Sequence, residues 1–427
     1  MQATELVDWF LRARQDPPKT ALDNAALLML DFVGNAVAGS TSELGEAIRN
    51  HVAETAAAGR AQVLGESELF APGAAAMANA TMASAFDFDE GYHVAAYTIA
   101  ASLAVAQATG ASGEELLRTV AAGYEAGEML RRAADADRDQ GGGITNSGWY
   151  HVGVVGPIIA ALCSAQLLGL DRGRMANAVG IATDSSGGVR EQFGQGAKQL
   201  QPGIAARAGV EAAQLARRGV TGADAALAGQ LGIDRAFAWG ASWDWGRFAA
   251  WSWETGALTK QLAIRRYPAC APGQPAVEAM LRLRERIGTA EILAIEAKPR
   301  PFSLRTPEAA NESQLGFSLP YLLAVAARDG ELGIRQLRWE RASQGDVREL
   351  MARFADRTDG VAAVRVRLAD GRELEETETD INYLKSVDEV RAKFESSLAI
   401  AGGADPEAVR AWFAGLGAAP AGVVPGL

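Results

Sequence analysis

The chain has 427 residues, 48% of them hydrophobic, which is enough for a substantial core shared by two or three domains. Its formal net charge is −11 and no basic patch stands out, so we expect neither nucleic acid nor a membrane among its partners. Two cysteines without metal spacing and only three histidines disfavour a disulfide scaffold and a metal centre. The N-terminal segment carries acidic side chains, unlike a signal peptide, and we expect no apolar run to reach the length of a membrane span. The composition therefore predicts a soluble, cytoplasmic protein.

Apolar side chains recur at helical spacing along most of the first 265 residues. Asp31 lies inside one of these runs, where we expect it to pair with an adjacent element rather than to act in catalysis. Residues 133–148 are polar and rich in glycine, which predicts a mobile loop over a site or an interface. The predicted helices span residues 3–14, 19–38, 44–58, 73–86, 97–109, 113–132 and 153–169.

Residues 187–222 combine closely spaced glycines with a single lysine, Lys198. Glycines, which lack a Cβ atom, let a ligand approach the main chain closely. We expect Pro202 and Gly203 to open an alanine-rich helix, whose N-terminal N–H groups and dipole favour an anion. The segment thus predicts a site for a small carboxylate beside Lys198. The alternative is a tight connection between helices with a solvated lysine.

A dense polar cluster, residues 87–93, follows the apolar helix predicted at 73–86. Three carboxylates precede His93 there, and such neighbours can orient and tune an imidazole for proton transfer. The same residues also suit a solvated turn, so the sequence leaves both interpretations open.

Aromatic side chains mark two further segments. Trp149, Tyr150 and His151 lie where the glycine-rich loop meets an apolar helix, so they are candidates for the wall of a site. The alternative is that His151 points into helix packing. Residues 239–254 are rich in tryptophan, and we expect them to pack on a neighbouring element or a partner subunit rather than to stack on a ligand.

After residue 265 the pattern changes from purely helical to mixed. Strands are predicted at 292–297, 361–368 and 373–379, the last two joined by an Asp370-Gly371 hairpin turn. The predicted fold is mainly α, with a large all-helical domain at 1–265 and a smaller α+β lid domain at 266–395. A C-terminal helix and tail at 396–427 are expected to return to the helical domain. Helices of this second part are predicted at 275–287, 319–328, 344–355, 387–400 and 405–414.

Several short motifs occur together in one order along nearly the whole chain. They are Leu30-Asp31-Phe32-Val33-Gly34, Asp87-Phe88-Asp89 after Asn79, GEELLRTVAAGYE from Gly113, Leu167-Leu168-Gly169-Leu170-Asp171, the Lys198 segment, Tyr267-Pro268-Ala269-Cys270 and Phe317-Ser318-Leu319-Pro320-Tyr321. This order and spacing resemble the MmgE/PrpD family, which includes 2-methylcitrate dehydratases, cis-aconitate decarboxylases and iminodisuccinate epimerases.

The resemblance implies a helical domain and an α+β lid, in a homodimer, with the site in the cleft between them. It also implies a small di- or tricarboxylate substrate and no cofactor. The shared chemistry removes a proton next to a carboxylate, and the resulting enediolate loses a leaving group or is reprotonated on the other face.

Cations must stabilise the oxyanion that develops in such a reaction. Lys198, Arg265 and Arg266 are the candidates, because arginine suits a bidentate contact with a carboxylate. Asp87 and Asp89 of the family motif complete the expected site.

A proton acceptor is also needed, and His93 and His151 are the available imidazoles. We expect His151, or Tyr150 assisted by Lys198, to be the base, with His93 as orienting group or acid and Asp87 as the next candidate. Burial would lower the pKa of His151 and keep it neutral.

The sequence departs from the family pattern where several histidines are expected. Ser84, Gln201 and Gln274 occupy three of these places, and we expect them to contact the substrate. His151 lies one place later than the family histidine, and His93 aligns only with a gap. Glutamine forms hydrogen bonds but cannot act as a general base. We therefore expect a lyase with a substrate other than citrate or aconitate; the alternatives are an epimerase and an inactive homologue that binds a metabolite or a partner.

Overall fold

The computed structural model describes residues 1–237, 243–298, 308–357, 363–417 and 419–427. Helices dominate these residues, and the predicted mainly α fold class is confirmed. The helices up to residue 250 are α1 (Ala3–Gln15), α2 (Lys19–Gly39), α3 (Glu43–Thr55), α4 (Pro72–Ala83), α5 (Val94–Thr109), α6 (Gly113–Ala134), α7 (Gly143–Asn146), α8 (His151–Leu167), α9 (Arg172–Ala182), α10 (Gly196–Arg217), α11 (Ile233–Ala236) and α12 (Gly246–Ala250). The later helices are α13 (Gln274–Ile287), α14 (Glu312–Leu315), α15 (Leu319–Asp329), α16 (Trp339–Ala342), α17 (Gly345–Met351), α18 (Val387–Ala401) and α19 (Pro406–Gly415). The strands are β1 (Ala58–Gln62), β2 (Leu69–Phe70), β3 (Ile292–Ala297), β4 (Phe354–Asp356), β5 (Ala363–Leu368) and β6 (Glu373–Thr377).

The larger core is built from α4, α5, α6, α8 and α10, whose contacting faces carry small side chains. A Cβ atom on Gly209 of α10 would lie 2.4 Å from the Cβ atom of Ala160 in α8. One on Gly203 would lie 2.5 Å from the carbonyl oxygen of Met77 in α4. Both distances are far inside van der Waals contact, so glycine at these positions lets α10 lie directly on its neighbours.

Helix α2 is long and apolar enough, by length and composition, to cross a membrane. The expectation that no run would reach that length is therefore wrong for this helix. Of its most apolar window, 72% is buried within the protein, and Met29 and Val33 belong to the larger core. That burial accounts for its apolar composition as a core helix.

Helix α10 begins earlier than the sequence predicted. It starts at Gly196, so Lys198 lies in its first turn and Pro202 lies inside it, not at its start. Proline is tolerated near a helix start because the first four N–H groups have no partner within the helix. Pro202 is the seventh residue of α10 and lies beyond those four, so the helix lacks the hydrogen bond that an N–H at this position would donate to the carbonyl of Lys198.

Two predicted helices end early because the chain enters a sheet. The helix expected at 44–58 ends at Thr55, and β1 follows, paired with β2. The helix expected at 344–355 ends at Met351, and β4 then pairs in parallel with β3, with Phe354 opposite Ile295. In both places the sheet supplies the backbone hydrogen bonds that a longer helix would have made.

The smaller core surrounds a four-stranded sheet with the order β4-β3-β5-β6, against which α13 packs, while α15 packs on α13 and α17. The predicted hairpin is confirmed: β5 and β6 pair antiparallel, with Val366 opposite Leu374, and Gly371 has a φ of 87°. Residues 361–362, the predicted start of β5, lie outside the described residues.

Helix α18 brings the chain back to the larger core. Phe394 and Leu398 are buried in that core, and α18 packs along α2. The division expected at residue 396 therefore falls inside this helix. The segment after α19 also belongs to the larger core, since Ala421 and Val424 are buried in it.

The tryptophan-rich segment packs within the chain. The ring of Trp251 lies 4.7 Å from that of Trp9 in α1, and its indole N–H donates a 3.0 Å hydrogen bond to Glu125 in α6. Trp243 is buried beside Trp245. Packing against a neighbouring element is confirmed for residues 243–253, whereas Trp239 lies outside the described residues.

Candidate active site

Several segments of the chain converge on one small cavity. They are the connection between α4 and α5, the connection between α6 and α8, the N-terminus of α8, the loop before α10, the first turn of α10 and the segment that precedes α13. The cavity measures about 190 Å³, smaller than the roughly 300–1,000 Å³ of pockets for drug-sized ligands. Six of the residues expected from sequence line it: Asp87, His93, Tyr150, His151, Lys198 and Arg265.

Lys198 is the central cation of the site. It is 3% exposed, and its Nζ atom donates to Oδ1 of Asp87 and lies 3.1 Å from Nε2 of His93. The rings of Tyr150 and Phe317 lie 5.9 and 5.4 Å from the same nitrogen. Such surroundings exclude water and strengthen the electrostatic action of the ammonium group.

Arg265 braces the connection between α4 and α5. Its Nη1 atom donates to the carbonyl of Asp87 at 2.9 Å and to Oδ1 of Asp89 at 3.3 Å, and Nη2 donates to the carbonyl of Gly91 at 2.9 Å. Nη2 also lies 3.1 Å from Nε2 of His93. The guanidinium thus holds the turn together while it lines the cavity.

The ring of His93 is fixed on both sides. Its Nδ1 atom lies 2.7 Å from Oδ2 of Asp89, which also accepts a 3.2 Å hydrogen bond from Ser84. Nε2 faces the donors of Lys198 and Arg265, both at 3.1 Å. A carboxylate at Nδ1 and two cationic donors at Nε2 favour the tautomer with the proton on Nδ1.

The backbone of this connection is strained at two residues. Asp87 has a φ of 52° and His93 a φ of 60°, and they are the only non-glycine residues with positive φ in the described part of the chain. Such conformations cost on the order of 1–3 kcal/mol each and persist where the surroundings impose them, often at functional sites. Here both residues with strained backbone place their side chains in contact with Lys198.

Opposing influences set the charge of Asp87. Burial alone would raise the pKa of its carboxyl group, but the positive charges of Arg265 and Lys198 outweigh burial and hold that pKa well below its ordinary value. Asp87 is therefore a carboxylate that orients Lys198, and a role as general base near neutral pH is disfavoured.

Tyr150 is buried at the N-terminus of α8, with its ring packed against His151 and Phe193. Burial and the neighbouring charge of Asp87 raise the pKa of its phenol well above the ordinary value. The hydroxyl group keeps its proton at neutral pH, which suits a proton donor better than the base expected from sequence.

His151 occupies the first position of α8, where its Nε2 atom lies 2.9 Å from the carbonyl oxygen of Tyr92. Since a carbonyl only accepts, Nε2 carries the proton and Nδ1 the lone pair. Burial, helped by the positive charge of Arg131, lowers the pKa of His151 well below its ordinary value. This direction agrees with the one expected from sequence, and a neutral ring with its lone pair on Nδ1 is able to accept a proton.

Two arginines that line the cavity were not expected from sequence. Arg190 lies in the glycine-rich loop before α10 and donates a 3.1 Å hydrogen bond to the carbonyl of Thr145. Arg138 lies in the loop at 133–148 and is exposed. The sequence feature that could have indicated Arg190 is its position in the same glycine-rich segment as Lys198. For Arg138, it is its position in the loop predicted to cover a site.

Five expected residues are not part of the cavity lining. Ser84 and Asp89 are buried beside His93, where Ser84 donates to Asp89, so Ser84 supports the site and does not face the substrate space. Arg266 is half-buried and pairs with Glu389 of α18 at 2.7 Å. The side-chain amide of Gln201 donates to the carbonyl of Val189, and that of Gln274 donates to two backbone carbonyls. The glutamines thus hold the walls of the site in place.

Asp87, Asp89 and His93 also place one donor atom each within 4.8 Å of one another, a spacing that would suit a metal ion. Lys198 and Arg265 already direct positive charge at these atoms. A further dication would meet strong repulsion there. The donor set therefore fits a charge-balanced organic site better than a metal site.

Fold and site together define a class of protein: a mainly α chain with two cores and a small, cation-lined cavity whose charge suits an organic anion. The chain belongs to the MmgE/PrpD family. Residues 4–246 match the MmgE/PrpD N-terminal domain, and residues 267–410 match the C-terminal domain. The resemblance drawn from the short motifs is confirmed.

Curated relatives match over part of the chain. A cis-aconitate decarboxylase of Aspergillus terreus is 29% identical over 226 residues, which cover 50% of this chain and 45% of that protein. The cis-aconitate decarboxylase-like protein oryM of Aspergillus oryzae is 30% identical over 227 residues, which cover 50% of this chain and 46% of that protein. The matched region thus spans about half the length of each relative.

Proposed function

We propose that this protein is a lyase that acts beside a carboxylate of a small di- or tricarboxylic acid, by decarboxylation or dehydration. One observation carries the proposal: a buried lysine, hydrogen-bonded to Asp87, lies in a cavity that also holds a protonated tyrosine and a neutral histidine. Family membership and the decarboxylases among the relatives support the same reaction class.

The cations supply the charge stabilisation that the reaction needs. Breaking a carbon–CO₂ bond, or removing a proton next to a carboxylate, leaves an electron pair that spreads into an enediolate. The ammonium group of Lys198 can bind that oxyanion in a cavity walled by Tyr150 and Phe193, where water does not screen the interaction.

Tyr150 and His151 supply the proton transfers. In a decarboxylation, the carbon that loses CO₂ takes a proton from the phenol of Tyr150, and solvent restores it. In a dehydration, Nδ1 of His151 takes the α-proton and Tyr150 protonates the departing hydroxyl group, which leaves as water. Both schemes use these two groups in the protonation states that their surroundings favour.

Arg190 and Arg138 give the substrate class. They add positive charge to the cavity lining beside that of Lys198 and Arg265. An anion with a second carboxylate could contact one of these outer arginines as well as Lys198. The proposed substrate therefore carries at least two carboxylates.

The proposal is tested by incubating the purified protein with a panel of small di- and tricarboxylates that includes cis-aconitate. We expect CO₂ release or a new double bond from at least one compound, at a rate at least about 10²-fold lower for Lys198→Met. Proton exchange without bond cleavage would indicate an epimerase instead, and silence across the panel would favour an inactive homologue. The homodimer and the independence from a cofactor stay predictions.

A further inference from the structure

A second buried lysine–aspartate pair lies behind the candidate site. Asp31 of α2 and Lys393 of α18 are both almost fully buried, and Lys393 Nζ lies 2.7 Å from Oδ1 of Asp31. Asn35 donates a 3.0 Å hydrogen bond to the other oxygen of Asp31. Neither member of the pair lines the cavity, so the proposed chemistry leaves the pair unexplained.

The ammonium group of Lys393 also reaches the strained connection of the site. It donates a hydrogen bond to the backbone carbonyl of Phe88 and lies 3.9 Å from the centre of the Phe88 ring. Phe88 stands between Asp87 and Asp89, the two carboxylates that hold Lys198 and His93.

We propose that Lys393 is a positioning residue, which fixes the Phe88 carbonyl from behind and thereby holds Asp87 and Asp89 in their working geometry. Asp31 keeps the ammonium group in place. The consequence for turnover rests on the proposed lyase function, whereas the consequence for site geometry does not.

The strain in the connection is the physical reason for such a brace. Asp87 has positive φ, and Arg265 binds the carbonyls on either side of Phe88, those of Asp87 and Gly91. Lys393 binds the carbonyl of Phe88, which lies between these two residues in sequence. Without that contact the Phe88 carbonyl would be free to rotate, and a displacement of about 1 Å at a catalytic group can lower a rate about 10²-fold.

Charge and hydrogen bonding can be separated by mutation. Asp31→Asn removes the partner charge, but the nitrogen of Lys393 keeps N–H donors in either protonation state, so we expect kcat to stay within about fivefold of wild type. Adding Lys393→Met removes the donor without leaving an unpaired buried charge. In this double variant we expect kcat to fall at least tenfold with KM little changed.

A spectroscopic readout makes the test independent of the reaction. The chain has three histidines, His51, His93 and His151, so ring signals of ¹⁵N-histidine-labelled protein can be assigned by single substitution. His51 is exposed and serves as internal reference. In the Asp31→Asn, Lys393→Met variant we expect the ring signals of His93 to shift and those of His51 to remain.

The matched control removes a different ion pair from the same helix. Glu395 of α18 pairs with Arg410 on the surface, and Glu395→Gln with Arg410→Gln should change neither kcat nor the His93 signals. A folded double variant with normal kcat and normal His93 signals would overturn the proposal. If that variant does not fold, Asp31→Leu with Lys393→Leu applies the same criterion. If wild type shows no turnover, the proposed function fails and the His93 signals alone decide the positioning role.

Discussion

Two buried lysine–aspartate pairs of this protein look alike in isolation but serve different purposes. Lys198 and Asp87 face a cavity and share their surroundings with the imidazole of His93. Lys393 and Asp31 lie between α18 and α2 and do not line that cavity; the lysine contacts Asp31 and the backbone carbonyl of Phe88. A buried ion pair is therefore not sufficient for an active site. An active site also needs space for a substrate and side chains able to exchange protons with it.

The pKa values of the two aspartates shift in opposite directions. Burial raises the pKa of Asp31 despite the nearby charge of Lys393, whereas two cations hold the pKa of Asp87 well below its ordinary value. Asp87 thus stays charged beside the cavity, ready to orient Lys198. Mutation should separate the cavity-facing groups from those that support them, with effects on turnover that decrease from Lys198 to the arginines.

Replacing Lys198 should have the largest effect. We expect Lys198→Met to lower kcat by about 10²–10³-fold, the range seen when a preorganised oxyanion donor is lost. Steady-state kinetics on the identified substrate give the result, with Lys260→Met, an exposed lysine, as control. Turnover near that of wild type would remove Lys198 from the mechanism.

Tyr150 should come next. We expect Tyr150→Phe to lower kcat by about 10²-fold, because the phenyl ring keeps the packing with Phe193 but has no proton to donate. Near-ultraviolet circular dichroism should match wild type. A kcat within threefold of wild type would assign the proton donor to another group.

His151 predicts a specific pH dependence. Its pKa in the folded protein lies well below 6.5, so the neutral ring persists to lower pH and kcat/KM should hold at pH 6.5 and decline only below it. Because this pKa is lower in the folded protein than in the unfolded chain, the unfolded chain protonates His151 at a higher pH than the folded protein does. The contribution of His151 to stability is therefore full above about pH 6.5 and is lost as the pH falls through its folded-state pKa.

The check is a pair of pH series, kcat/KM and Tm, for wild type and His151→Asn. We expect the variant to lose the acidic limb, to turn over at least tenfold more slowly, and to show a smaller loss of Tm between pH 7 and pH 5. An unchanged acidic limb would place the base elsewhere.

The arginines give the smallest effects and a matched pair. Arg190→Gln should raise KM at least tenfold with little change in kcat, since losing a hydrogen bond to a charged group typically costs about 1.5–3 kcal/mol, which corresponds to roughly 10- to 10²-fold in affinity. Arg266→Gln should change KM less than twofold, because Arg266 binds Glu389 at the surface. Equal KM values for the two variants would contradict the placement of the substrate carboxylate beside Arg190.

These residues also show how far the sequence alone reaches. The family motifs and helical periodicity predicted the fold class and six residues of the cavity. They could not separate Arg265 from Arg266, because adjacent residues share every local signal and only the tertiary contacts with Asp87 and Asp89 distinguish them. Arg190 was missed because it lies in a loop, and a loop has no periodicity that shows which side chain faces a cavity.

The predicted helix boundaries were wrong where contacts between residues distant in sequence determine where a helix begins or ends. Pro202 and Gly203 suggested a helix start, but Gly203 is required by the close contact with Met77, and the helix begins at Gly196. In the same way, the pairing of Phe354 with Ile295, 59 positions earlier in the sequence, ended a helix predicted to run through residue 355.

The central claim is that Lys198 stabilises negative charge formed next to a substrate carboxylate while Tyr150 or His151 moves the proton. The most direct test is NMR of the reaction in D₂O with the substrate found in the panel, for wild type and Lys198→Met. A decarboxylation should place one solvent deuterium on the carbon that loses CO₂, and a dehydration should consume one α-hydrogen. We expect either result in wild type, and the same result at least about 10²-fold more slowly in Lys198→Met. Bond cleavage at equal rates in the two proteins would contradict the account.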